Sequence, residues 1–187
     1  MKVKINQIAK ITSGNYAKSQ PLGDVFFIVA RDYNKYKELR NDLKPILLKS
    51  KNLEKHYLNT NDILFASKGF DNFAVVYKKT YFPAVASSTF LVIQNIKKNI
   101  VLPGFLAWYI NHPRILDYLK SLSKGTSLPS ISKKVLGNLE INIPSLEKQR
   151  TIMKINELRI REKQLKAKIE NFNEKIVNQI LLNTITN

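Results

Sequence analysis

The chain of 187 residues contains no cysteine. That absence removes disulfides, thiolate metal ligands and a cysteine nucleophile together. No apolar run approaches the ~18 residues that a membrane-crossing helix requires. The opening stretch, MKVKINQIAK, alternates lysine with apolar side chains and lacks the apolar core of a secretory signal. The expectation is a soluble, cytoplasmic protein. Walker-type phosphate loops and HExxH zinc motifs are also missing. So are the glycine-rich cofactor loop and the Asn/Asp-Pro-Pro-aromatic motif of DNA methyltransferases; the nearest string, Asn142-Ile143-Pro144-Ser145, fails. His56 and His112 stand alone. No cofactor and no metal are expected.

Acidic residues are scarce too. Fourteen Asp and Glu face 31 Lys and Arg, for a formal charge of +17. The excess is uneven: 22 basic against 9 acidic residues up to Ile143, then 9 against 5 from Pro144 onward. A hydrophobic share of 44% supports a real core. A compact body carrying most of that charge attracts a polyanion, and nucleic acid is the first candidate.

The pivot of the chain runs from Lys124 to Gln149. A polar, basic loop (Lys124, Gly125, Thr126, Ser127, then Lys133 and Lys134) gives way to the alternation Leu139, Ile141, Ile143 of a strand. Pro144-Ser145 then opens a helix that meets no further proline or glycine. Before the pivot, residues 1–12 read as a short strand or helical turn. Short β-branched and aromatic runs follow at 25–30, 63–66, 74–77 and 81–93, arguing for a sheet-rich, barrel-like body. Pro83 marks an edge or a bend. Pro103-Gly104 opens a helix to Ser121 that Pro113 kinks or splits. The fold class is therefore α+β: a globular domain over 1–143, then one long helix over 144–187.

Along that helix Ile155, Leu158, Leu165, Ile169, Phe172 and Ile176 fall on heptad a and d positions, interrupted by Glu162 and Gln179. Forty helical residues span roughly 60 Å. So narrow an apolar stripe on so long a rod calls for a partner helix in a coiled coil.

Three loops are expected to face nucleic acid, gripping phosphates and meeting bases. Residues 31–37 interleave Arg31, Tyr33, Asn34, Lys35 and Lys37, residues 67–72 begin Ser67-Lys68, and residues 124–134 hold Lys124, Thr126, Ser127, Lys133 and Lys134. A competing constellation is Asp32 with Asp42 and Lys44, which would hold a divalent ion and activate water in a small metal-dependent nuclease. It lies in a charged stretch that reads equally as an exposed helix. A free-standing coiled-coil DNA-binding regulator is the third alternative.

Several of these stretches fit one pattern. Gly125-Thr126-Ser127 precedes Leu136-x-x-Leu139-x-Ile141-x-x-Pro144, and Ser145-Leu146-Glu147-Lys148-Gln149 opens the helix. Upstream lie Leu58-x-x-x-Asp62-Ile63-Leu64, Ser67-Lys68-Gly69 and 101–109, VLPGFLAWY. Together they resemble the specificity subunit of type I restriction-modification enzymes, with a target-recognition domain and a helical spacer. The resemblance implies a non-catalytic DNA-recognition subunit that docks methyltransferase subunits, with a restriction subunit as an open further partner. The family's subunits carry two recognition domains and two spacers, whereas this chain has one of each. It resembles a half-subunit, and a second copy with the helices antiparallel would complete a homodimer reading a bipartite, two-fold symmetric site.

Overall fold

The computed structural model describes residues 2–17, 22–123 and 129–186, Thr186 by its backbone alone. The chain forms two compact units, Met1–Arg150 and Thr151–Asn187. In order, the first unit contains β1 (Lys2–Lys4), α1 (Ile5–Ile8), β2 (Lys10–Ser13), β3 (Phe26–Ile28), a 3-10 turn (Ala30–Asp32), α2 (Lys51–Glu54), β4 (Ile63–Ala66), β5 (Phe73–Val76), β6 (Ala84–Ala86), β7 (Phe90–Gln94), α3 (Pro103–Ile110), α4 (Pro113–Ser121), α5 (Lys133–Gly137) and β8 (Glu140–Asn142). A final helix, α6 (Leu146–Thr186), completes the α+β architecture.

The centre is an antiparallel sheet ordered β2-β7-β4-β5. Every residue of β4 is buried, so this strand is covered on both faces and reads as an unbroken apolar run. On one face Leu64, Ala66, Phe73, Val75, Phe90 and Val92 pack with Ile28, Ala84 and Ala86 of a parallel pair, β3-β6. Helix α3 packs on β5, and Asn111 just beyond it ties that edge strand down. Its Oδ1 accepts from the Ala74 N–H at 2.8 Å and its Nδ2 donates to the Ala74 carbonyl at 2.7 Å. Both hydrogen-bonding groups of an edge residue are thereby occupied.

Short-range expectations and observed elements agree at the central strands and at Pro113, where the helix splits into α3 and α4. Each half begins with proline in its first turn, the one helical position where a missing N–H costs nothing. Three expectations need correction. The strands do not close into one barrel but form one four-stranded and two two-stranded sheets among the described residues. Residues 42–44 are irregular rather than helical. And Lys133 and Lys134 begin a helical turn rather than lying in a loop, because Ser132 Oγ accepts from the Val135 N–H at 3.2 Å.

Gly14 sits where β2 approaches the β6–β7 turn. A Cβ there would stand 2.0 Å from the Ser87 carbonyl oxygen, so only glycine fits. The outer sheet pairs β1 with β8, Lys2 opposite Asn142 and Lys4 opposite Glu140. It brings the two ends of the globular unit side by side.

Asp62 starts β4. Its Oδ2 accepts from the Asn59 N–H at 2.8 Å and from Gln94 Nε2 at 3.4 Å. Burial nevertheless raises its pKa, the desolvation outweighing both hydrogen bonds. A carboxyl whose pKa is raised on folding adds stability below its ordinary value, and that contribution is lost as pH rises through the raised value. Thermal melts from about pH 4 to about pH 7 should therefore show native protein losing ground to Asp62→Asn as pH rises. Asp62→Ala, which frees the Asn59 N–H, should cost ~1 kcal/mol near pH 4 and less near pH 7, because native protein loses the same ground to any variant that does not titrate.

Candidate nucleic-acid interface

The loop after β3 is shaped by its own polar side chains. Asp32 is buried and its Oδ2 accepts from the Val29 N–H at 2.8 Å, closing the 3-10 turn. Asn34 then builds a tight hairpin. Its Oδ1 accepts from the N–H groups of Tyr36 (2.8 Å) and Glu38 (3.1 Å), and its Nδ2 donates to Glu38 Oε2 at 2.9 Å. Such Asx bonding is why asparagine serves at turns. Lys35 and Lys37 are thereby presented at the tip. Lys37 adopts φ 65° and its Nζ lies 4.2 Å from the centroid of the Phe73 ring. Partial burial lowers its pKa, with Asp71 opposing the shift.

Tyr33 behaves differently from its neighbours. Its ring packs edge-on against Phe73 (5.8 Å) and Phe90 (6.2 Å), and burial pushes its hydroxyl pKa up. It anchors the hairpin to the core and is only half exposed. Arg31, Asn34, Lys35 and Lys37 are exposed.

The loop after β4 is tied at both ends. Ser67 is buried; its N–H donates to the Thr89 carbonyl at 2.9 Å and its hydroxyl to the same oxygen at 3.3 Å. Asn72 Nδ2 donates to the Ala66 carbonyl at 3.0 Å across the base of the loop. Between them Gly69 takes φ 88°, a left-handed conformation suited to glycine. Exposed Lys68 and Phe70 occupy the tip.

A third segment joins the second. The Gly69 N–H donates to the Pro129 carbonyl and the Ile131 N–H to the Ser67 carbonyl, each at 2.9 Å. Lys133 and Lys134 follow, both exposed at the start of α5. Lys124, Thr126 and Ser127, the other residues expected in this segment, lie outside the described residues.

The first two loops face each other across a cleft of about 440 Å³ lined by Arg31, Asn34, Lys35, Lys37, Lys68 and Phe70 among others. Four cations and one carboxylate, Asp71, border it. Sequence reasoning picked out most of this rim but not Phe70, whose signal was an aromatic residue in a polar loop directly after Lys68-Gly69.

The rival constellation also converges. Asp32, Asp42 and Lys44 border a neighbouring cleft of about 310 Å³ together with Arg31 and Arg40. Its carboxylates are already engaged, however. Arg40 grips Asp42 through Nε at 2.5 Å and Nη2 at 2.6 Å and holds its pKa down, while Asp32 accepts from the Val29 N–H.

In the second unit, Ile155, Leu158, Leu165, Ile169, Phe172 and Ile176 are each between 51% and 61% exposed. Their apolar faces form one stripe covering roughly 100° of the helix circumference. The residues that interrupt it pair along their own helix, Glu162 with Lys166 (2.7 Å) and Gln179 with Asn183 (3.0 Å). Among the described residues no helix is long and apolar enough to cross a membrane.

Residues 1–171 match the family described as type I restriction modification DNA specificity domain. A type I restriction enzyme MjaVIII specificity subunit from Methanocaldococcus jannaschii is 32% identical over 98 residues, 52% of this chain and 22% of that protein. Among solved structures, an HsdS subunit from Thermoanaerobacter tengcongensis is similar with a TM-score of 0.64 at 18% identity, covering 88% of this chain and 43% of that one. A type I restriction-modification S subunit from M. genitalium gives a TM-score of 0.59 at 15% identity, covering 89% and 40%. The chain thus spans less than half the length of each of these relatives.

Proposed function

The chain belongs to the type I restriction modification DNA specificity domain family, and from that premise we propose that it is a non-catalytic, sequence-specific double-stranded DNA recognition subunit of a type I methyltransferase complex. The observation that carries this reading is the convergence of loops 31–37 and 67–72, with segment 129–131 hydrogen-bonded to the second, around one cation-lined cleft. Lysines and Arg31 grip phosphates there and fix the register of the duplex. Arg31, Asn34 and Lys68 carry donors suited to base edges. Tyr33 and Ser67 contribute by holding the loops in shape.

The helix completes the reading. Its exposed stripe pairs with the same stripe of a second copy, the helices antiparallel, and sets the gap between two half-sites. Methyltransferase subunits dock on the dimer, which leaves room for a restriction subunit as a further partner. Work in the cytoplasm follows from a DNA substrate.

Selection of duplexes from a random-sequence library by the full chain tests the recognition claim. A gapped, two-fold symmetric motif is the expected product; the absence of any enriched motif would refute it. Within that assay Lys133→Ala with Lys134→Ala should weaken binding to every sequence alike. It should also flatten the slope of log affinity against log salt by about 2. An unchanged slope removes these two lysines from the interface.

A further inference from the structure

We infer that Phe70 is an aromatic wedge that enters the base stack of the bound duplex; the inference rests on the DNA-recognition reading and deepens it. Phe70 is 72% exposed at the tip of a loop. A lone exposed apolar residue carries no meaning by itself. Here three further features act together.

The first is rigidity. The loop's base is closed by Asn72 on the Ala66 carbonyl, its near side by Gly69 on Pro129, and its entry by Ser67 on Thr89. The ring is therefore held out in solvent by hydrogen bonds on both flanks, with little ordering entropy left to lose on binding. The second is charge. Phe70 shares its cleft with Arg31, Lys35, Lys37 and Lys68, cations that repel one another and fit a phosphate backbone rather than an apolar protein partner. The third is the division of labour among aromatics. Tyr33 and Phe73 of the same cleft are packed edge-on to each other, and Phe73 is buried, so the core has used them. No such ring contact holds Phe70 among those described.

An apolar ring thrust into a duplex whose backbone is held on either side partly unstacks one base step and kinks the helix. Pyrimidine–purine steps unstack most easily. The wedge thus favours such a step at a fixed offset from the phosphate grip and adds sequence preference without a hydrogen bond to any base.

The probe is a duplex enriched by the native full chain, with 2-aminopurine placed at each adenine in turn. The native complex should brighten at one step, reporting loss of stacking there. Phe70→Ala should abolish that signal and weaken binding by about 10- to 100-fold. Phe70→Leu, itself a competent wedge, should restore part of both. Because the ring is exposed, both variants should melt as the native chain does. Two results would overturn the wedge: Phe70→Ala binding within about twofold of native, or a native complex that brightens at no step. If the native chain enriches no duplex at all, the recognition reading itself fails and takes the wedge with it.

Discussion

Gln149→Leu should cost the globular unit about 3 kcal/mol, the largest loss expected of any single polar substitution here. Gln149 is fully buried in the first turn of α6. Its Oε1 accepts from the Leu102 N–H at 2.8 Å, and its Nε2 donates to the carbonyls of Ile100 and Pro144, each at 2.9 Å. One amide thus satisfies three main-chain groups, joining the entry to α3 to the entry to α6. Leucine matches the volume but supplies neither donor nor acceptor, and each orphaned group costs ~1 kcal/mol or more. Glutamate separates shape from polarity. It still accepts from Leu102, but sets carboxylate oxygens against two carbonyls, so Gln149→Glu should be at least as damaging. Trp108 on α3 is the chain's single tryptophan and a local reporter. Its fluorescence during thermal unfolding should show a midpoint lowered by roughly 6–12 °C for either variant. A midpoint within about 2 °C of native would mean that water replaces the amide at little cost.

The second large effect belongs to α6. Ile169→Asp with Phe172→Asp should convert a dimer into a monomer, weakening association by at least about a thousandfold. Each apolar side chain buried between helices is worth ~1.5–3 kcal/mol. In a two-fold assembly every substitution counts twice, and a carboxylate on the seam adds its desolvation. Asn171→Asp, a similar change of charge on the opposite side of the helix, should leave the mass unaltered. Light scattering at moderate salt distinguishes the outcomes. A native chain that is already monomeric at high micromolar concentration would refute self-pairing and assign the stripe to another protein.

Elements whose cause is local were legible in the sequence. The apolar run 63–66 became β4, and Pro113 split its helix because ring geometry acts on adjacent residues alone. What was hidden depends on distant partners. Nothing near Lys2 indicates that β1 pairs with β8, and nothing in residues 26–28 indicates a parallel pairing with β6. The cation-rich loops stood out by composition, since charge needs no partner to be visible. Tyr33 looked like its exposed neighbours, yet packs on Phe73 and Phe90. Gln149 stood out in the sequence only as the end of the Ser145–Gln149 stretch that opens the helix; its bonds to three main-chain groups did not show there. A polar side chain's role is fixed by what it meets, and that information is non-local.

The β1–β8 pairing also governs when this protein can fold. Lys2 and Asn142 are separated by almost the whole globular unit, so their contact closes one of the longest loops available. Closing such a loop carries an entropy cost that short-range contacts must outweigh first. On a ribosome, β1 is made before the rest of this unit yet has no partner until residues 140–142 leave the exit tunnel. The central sheet has all its strands once β7 is made, while β1, which belongs to a separate sheet, still waits for β8. Synthesis of α6 thus overlaps the final closure of the domain, and nascent chains released before residue 140 should remain sensitive to protease around β1.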